Sequence, residues 1–206
     1  MARTREFNPD SVVDCALDLF WRKGYKACSM AEVVKKTGVA RYGLYQAFKD
    51  KDQLYCATLK RYKQKIKELF AKPFTQQPLG FESLVNHFNL ILEQLEIGEH
   101  QGCFAHQAAI ERGAVDDNVN QIVKEIFADS RKGYQTVLEA ALHNGEVRPM
   151  PIEDLVNFVM GIQRALIAMS KQNCSLEERR NYVRCSLALL RNEQAPQIEG
   201  LRSISS

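Results

Sequence analysis

Most of the parts that would make this chain a membrane protein, a metalloprotein or an enzyme are missing. Its 206 residues hold no uninterrupted apolar run near the roughly 18 residues that mark a membrane-spanning helix, so none is expected. The opening MARTREFNPD has no apolar core of a secretory signal, and a cytoplasmic location is the expectation that follows. Six cysteines (Cys15, Cys28, Cys56, Cys103, Cys174 and Cys185) form no CxxC pair, and none has a histidine at a metal-ligand interval. In a reducing compartment they read as free thiols, mostly filling the core. There is no glycine-rich phosphate loop and no nucleophile set beside a base, and the acids and four histidines are dispersed. The expectation is therefore no enzyme, no metal and no cofactor. Internal repeats, low-complexity tracts and strand-like alternation are lacking as well, while a hydrophobic content of 45% is too high for a disordered chain.

What is present is helical periodicity. The pattern predicts an all-α chain of about nine helices. Asn8 is placed to cap a first helix over residues 7–27, with Pro9 at its first position and Asp10 at the positive end of its dipole. Val12, Val13, Ala16, Leu17, Phe20 and Trp21 recur at helical spacing as its buried stripe, and Gly24 ends it. Ahead of it stands a short basic arm, ARTRE, whose Arg3 and Arg5 suit either solvent or a DNA groove.

The most informative stretch runs from Cys28 to Leu54, CSMAEVVKKTGVARYGLYQAFKDKDQL. Ser29 and Glu32 have capping-box spacing, Ala31, Val33 and Val34 supply an apolar face, and Gly38 suits a left-handed stop. A second short helix follows over 40–47, with Leu44 and Phe48 inward and Arg41, Tyr42, Gly43, Tyr45 and Gln46 outward. Asp50 and Gln53 repeat the capping-box spacing, and Lys51 stands in the first turn of the next helix. Two short helices around a glycine turn, the second studded with Arg, Tyr and Gln, form the helix-turn-helix pattern that enters a DNA major groove. An ordinary helical hairpin would solvate its surface with Glu/Lys pairs instead. A glycine inside so short a helix costs roughly 1 kcal/mol relative to alanine, which close approach to a groove would explain.

These residues carry a resemblance. The run ALDLFWRKGYKACSMAEVVKKTGVARYGLYQAFKDKDQLYCATLKRY is similar to the DNA-binding domain of the TetR family of bacterial transcriptional regulators over residues 1 to about 63. By position, the resemblance implicates Ser29, Arg41, Tyr42, Gly43, Tyr45, Gln46 and Lys51 in holding DNA. Where the family often carries an aromatic or histidine pair after the tyrosine, this chain has Gln46 and Ala47, which leaves position 47 without a contact role. Chemically, Arg41 suits the O6/N7 edge of guanine and Gln46 the N6/N7 edge of adenine. Tyr42 and Tyr45 suit phosphates or thymine methyls. Ser29 and Lys51, each at a helix start, suit phosphates; Ser29 is equally complete as a plain N-cap.

Charge agrees with this division. Residues 1–63 hold 13 Lys/Arg against 7 Asp/Glu, and residues 64–206 hold 15 against 18, so the modest net +3 conceals a basic N-terminal part. Lys23, Lys26, Lys35 and Lys36 read individually as solvated.

Beyond it, a helix runs from Lys51 to Leu69, and Pro73 and Pro78 delimit a connector. Further helices are predicted over about 80–97 up to Gly98, just after Gly102, over 117–144, over 152–171 and over 176–192. The domain expectation is a DNA-binding part at 1–50, a helical effector-binding and dimerisation part at 51–195 and a frayed tail at 196–206. The resemblance implies that the last two helices (about 152–192) pair across a homodimer axis, where Gly161 and Ala165 permit close approach. It also implies an effector pocket, for which Phe88, Phe104, His106, Gln107, Phe127, Tyr134 and Gln163 are candidates, each equally readable as core. Cys103, at the start of a short helix with His106 one turn on, is either an inert packed thiol or a reactive one. The function expected is a sequence-specific transcriptional regulator, a repressor released from a palindromic operator by an unknown small molecule or a thiol-reactive agent. The alternative is a nucleoid-type binder of double-stranded DNA without sequence preference.

Overall fold

Helix starts in this chain are dictated locally, and the first shows how. In the computed structural model, which describes residues 7–97 and 102–193, the Asn8 side chain accepts a hydrogen bond from the Asp10 amide at 2.9 Å and opens α1 (Pro9–Ala27). Val12, Val13, Ala16, Leu17, Leu19 and Phe20 are buried along it, whereas Trp21, expected in the same stripe, is only half-buried. Gly24 breaks the helical geometry at φ +82°, a conformation open to glycine and strained for other residues.

Ser29 then caps α2 (Met30–Thr37) in a full capping box with Glu32, and Gly38 closes it in the left-handed conformation (φ +68°). Met30 and Val33 are the residues that α2 buries; of the expected face Val33 is buried and Val34 half-buried, while Ala31 is exposed and Met30 takes its place. α3 (Arg41–Phe48) turns Leu44 fully inward and Phe48 partly so. Asp50 accepts from the Gln53 amide at 2.7 Å at the head of α4 (Lys51–Phe70), which buries Leu54, Tyr55, Cys56, Thr58, Leu59 and Tyr62.

The expected 73–78 connector contains a further single-turn helix, α5 (Lys72–Thr75), because Pro73 sits in the first turn, where its missing N–H costs nothing. The remaining helices are α6 (Phe81–Ile97), α7 (Phe104–Arg112), α8 (Asp117–His143), α9 (Ile152–Lys171) and α10 (Leu176–Leu190). Among the described residues there are ten helices, nine of seven residues or more, and no strand; the one β-bridge pairs Val147 with Arg191. The all-α expectation holds. Arg3 and Arg5, the stop at Gly98 and the tail at 196–206 lie outside the described residues.

The chain divides into two compact units, 1–66 with 103–126 and 67–102 with 127–206, the divisions falling inside α4 and α8. In the first unit α1 packs on α2 and α7, and α2 on α3. Its core is aromatic: Phe20 stacks on Tyr25 at 6.3 Å, and Tyr55, Tyr62, Trp21 and Phe104 join them edge-on or tilted, with ring centroids 5.0–6.1 Å apart. In the second unit α6 packs on α5 and α10, and α9 on α10, around Phe81, Leu84, Phe88, Tyr134, Leu155, Val159 and Leu187. No described helix is long and apolar enough to cross a membrane.

Candidate nucleic-acid interface

Burying Leu44 fixes which side of α3 is free. Arg41 and Tyr45 are one turn apart, as are Tyr42 and Gln46, so the four share the opposite face. Arg41, Tyr42 and Gln46 are exposed, Tyr42 by 74%, while Tyr45 and Gly43 are half-buried. The Arg41 guanidinium lies 5.4 Å from the Tyr45 ring centroid and 3.4 Å from its hydroxyl, which aligns a planar fork along the exposed face. A 74%-exposed tyrosine beside an arginine and a glutamine serves no core; it is suited to contact outside the chain.

Gly43 has an explanation within the chain. A Cβ there would stand 3.1 Å from the Phe7 ring and 3.5 Å from Val39, so its absence lets Phe7 pack against α3. We expect Gly43→Ala to displace that ring by a few tenths of an ångström and still gain up to about 1 kcal/mol of helix stability. Urea unfolding checks the gain, and operator binding by the same variant separates packing from groove approach.

Two helix starts flank α3. Ser29 is exposed and committed to its capping box: its Oγ accepts from the Glu32 amide at 3.2 Å, and the Glu32 carboxylate accepts from the Ser29 amide at 2.8 Å. Lys23 also pairs with Glu32; with Ser29 it holds that carboxyl down at about 2. Lys36 pairs with Asp18. Two of the lysines read as solvated thus tie α2 to α1.

Lys51 is half-buried with its ammonium 4.1 Å from the Tyr25 ring centroid, and the Arg112 guanidinium lies 4.3 Å from the same ring. The Tyr25 hydroxyl donates to Asp52, its backbone amide to Glu111 at 2.6 Å, and Arg112 bonds Asp52 at 3.1 Å and Asp116 at 3.0 Å. Burial, then the Asp52 hydrogen bond, pushes the Tyr25 phenol up to about 12, so it remains a neutral donor. Burial counts against the ionised Asp116 carboxyl, but hydrogen bonds from the Val119 amide and Arg112 outweigh it and lower its pKa. Gly24 belongs to this assembly, since a Cβ there would fall 2.5 Å from the Glu111 carboxylate. The network joins the end of α1, the first turn of α4 and the end of α7. Sequence reading missed Tyr25, Asp52, Glu111 and Arg112; the only local sign was Tyr25 following Gly24.

The effector candidates separate into two groups. Cys103, Phe104, His106 and Gln107 belong to the first unit, and Phe88, Phe127, Tyr134 and Gln163 to the second. Phe104 is fully buried in the aromatic core, and Gln107 bonds Glu111 at 3.1 Å. His106 is half-buried. Cys103 caps α7 and accepts from the Tyr62 hydroxyl at 3.1 Å; burial and Cys103 raise that phenol well above its usual range. In the second unit Phe88 stacks on Tyr134 at 6.1 Å, both fully buried. Phe127 packs half-buried on that core, and Gln163 keeps a buried, unbonded Oε1. The other thiols are mixed: Cys28 and Cys56 are buried with raised pKa values, caused first by burial, whereas Cys185 is exposed rather than in the core.

A capped helix-turn-helix braced by α1, with a polar and exposed second-helix face, defines a transcriptional regulator of the DNA-binding class. The model for bacterial regulatory proteins of the tetR family matches residues 12–58, and that for the tetracyclin repressor-like C-terminal domain matches residues 80–184. The chain belongs to the TetR family of bacterial regulatory proteins. It is 26% identical over 179 residues, 85% of each chain, to the HTH-type transcriptional repressor ComR of Escherichia coli K12. Among solved structures it shares its fold with a cysteine-substituted CifR complexed with 26-bp operator DNA (TM-score 0.81, 19% identity, 92% of this chain and 100% of that one). It shares it also with the reduced form of E. coli NemR (TM-score 0.77, 13% identity, 88% and 97%).

Proposed function

We infer that this protein is a homodimeric repressor that reads a palindromic operator through α3. The observation that carries this reading is the exposed Arg41, Tyr42 and Gln46 face opposite a fully buried Leu44. Arg41 forks onto a guanine, Gln46 onto an adenine, and Tyr42 and Tyr45 position the helix on phosphates or thymine methyls. Ser29 and Lys51 offer phosphate contacts at the starts of α2 and α4, and Gly43 keeps the face close to the groove. Residues 1–50 carry DNA reading, and 51–195 carry effector binding and dimerisation.

A dimer through α9 and α10 is supported by apolar residues left uncovered on both helices, Phe158 at 42% and Leu189 at 63% exposure. Gly161 adds to it: a Cβ there would meet nothing of its own chain within 4 Å, so the helix keeps open space that a partner helix can approach closely. The operator symmetry follows from the dimer's.

Release is by a small molecule in the helical body or by modification of Cys103. CifR was solved in cysteine-substituted form and NemR in reduced form, which directs attention to thiols in similar folds. The Tyr62–Cys103 hydrogen bond gives the thiol a defined partner whose loss would disturb α4 against α7. Cys103→Ser is expected to abolish release of operator by an electrophile such as N-ethylmaleimide; release that persists in this variant eliminates the thiol route.

The deciding experiment is selection of bound DNA from random fragments at physiological salt. Enrichment of one palindrome, preferred by at least about 10³-fold over bulk DNA, is the expected result. A nucleoid-type binder enriches nothing and shows only a steep salt slope.

A further inference from the structure

His87 is the histidine that the packing of the second unit does not need. It is 96% buried on α6, its Nε2 lies 2.9 Å from the Tyr134 hydroxyl, and its Nδ1 is buried with no hydrogen-bond partner. The ring is enclosed by Phe70, Phe74, Phe88 and Tyr134, with centroids 4.4–5.9 Å away. An apolar ring would fill this cage without an orphaned nitrogen, and a buried polar atom left unsatisfied requires an explanation of its own.

Phe74 supplies a second, independent observation. Its ring lies tilted over His87 at 4.4 Å and meets Tyr134 edge-on at 5.6 Å. At Gly133 a Cβ would fall 2.8 Å from the Phe74 ring. A glycine inside α8 thus leaves the slot that the Phe74 ring fills beside the imidazole. The occupant of that slot sits on the single-turn α5, whose start has no side-chain cap, and it remains half-buried. Beside it lies a cleft of about 490 Å³ between α5 and α6, lined by Pro73, Ser83 and Leu90 and, at charged positions, by Lys72, Glu82 and Glu93. Pro73 precedes Phe74, and Ser83 and Leu90 are each one helical turn from His87, so the cleft is lined by neighbours of the cage residues on the same two helices, while Phe74 and His87 themselves stay behind its wall.

We propose that the His87–Tyr134 pair anchors a small, neutral, flat aromatic effector that enters by the α5–α6 cleft and takes the slot held by Phe74. The deduction rests on the regulator reading above and names the chemistry of its ligand. The aromatic walls select a planar apolar body. A single hydroxyl, carbonyl or ring N–H on its edge satisfies Nδ1, whose tautomer is set by the direction of the Tyr134 hydrogen bond. Lys72, Glu82 and Glu93 stay in the outer cleft and no charged side chain belongs to the cage, where burial holds the imidazole neutral with a pKa of about 3, so a carboxylate or ammonium seated there would lack a counter-charge.

The full-length protein with ¹⁵N-labelled histidine, titrated with 4-fluorophenol, tests this. The His87 ring resonances are expected to shift with 4-fluorophenol and to stay unmoved with 4-fluorobenzoate or cyclohexanol. Phe74→Ala empties the slot and tightens binding. The double variant His87→Phe with Tyr134→Phe replaces both hydrogen-bonding partners by rings of similar size. It is expected to remain as stable as the wild type while binding 4-fluorophenol at least about tenfold more weakly by ¹⁹F titration. Undiminished binding in that variant, or His87 resonances unmoved in both wild type and Phe74→Ala, overturns the site. Failure to select any operator overturns the regulator reading instead, and leaves these spectra readable.

Discussion

Arg41→Ala is expected to weaken binding to the selected operator by about 5- to 150-fold, the equivalent of about 1–3 kcal/mol, and to relax preference at a single base pair. The side chain has no buried partner whose loss would unfold the domain. Its contacts are with Tyr45, one turn along the same exposed helix face. Removing it therefore leaves α3 held by Leu44, which is fully buried, and by the capping box that fixes α2 beside it. Competition of the variant between the selected operator and its single-base variants measures the result. Arg41→Lys is the sharper control, because an ammonium restores charge without the planar fork and is expected to recover affinity while leaving specificity lost. Uniform weakening on every sequence would reassign Arg41 to the phosphates.

Lys51 sits on a different balance of forces. Its ammonium is already 4.1 Å from the centre of the Tyr25 ring, on the network that Asp52, Glu111 and Arg112 complete. Any phosphate it meets competes with a cation–π contact, so a change in that network alters how readily Lys51 reaches DNA. Here the brace and the candidate interface share a residue, which gives α7 a physical connection to the first turn after the recognition helix.

That connection explains the limits of what the residues reveal in order. Asn8 with Pro9, Ser29 with Glu32, and Gly38 act within a few positions, and the helix borders they set are read directly from the chain. The exposed side of α3 is legible for the same reason, since one buried leucine fixes the rest by helical spacing. Tyr25 and Glu111 are 86 positions apart and His87 and Tyr134 are 47 apart, and no local pattern records that they meet. Phe104 is buried in the aromatic core of the first unit and Gln107 bonds Glu111, contacts that their residue types alone do not specify. Gly43 also makes room for Phe7, a contact that no periodicity in the chain records. Apolar and aromatic residue types mark burial; which cavity or partner they face is a property of the tertiary contacts.

The buried imidazole also sets a pH dependence of stability. Burial lowers the His87 pKa from 6.5 in the unfolded chain to about 3 in the folded one, so below pH 6.5 the unfolded state binds a proton that the folded state refuses. Stability is complete above pH 6.5 and declines as the pH falls toward 3, with a slope approaching about 1.4 kcal/mol per pH unit. The carboxylates of Asp18, Glu32, Asp116, Glu125 and Glu178, all with lowered pKa values, add their own losses only nearer their ordinary values of 3.8–4.5 and below. The interval from pH 6.5 to 5 therefore isolates the histidine. Urea unfolding across it, at fixed protein concentration because a dimer's stability depends on it, is expected to show a loss of about 1–2 kcal/mol in the wild type. In the His87→Phe with Tyr134→Phe variant that loss disappears. Parallel pH profiles for the two proteins would mean that His87 gains a proton in the folded state as easily as in the unfolded one. In that case Nδ1 is solvated in solution and the closed aromatic cage is wrong.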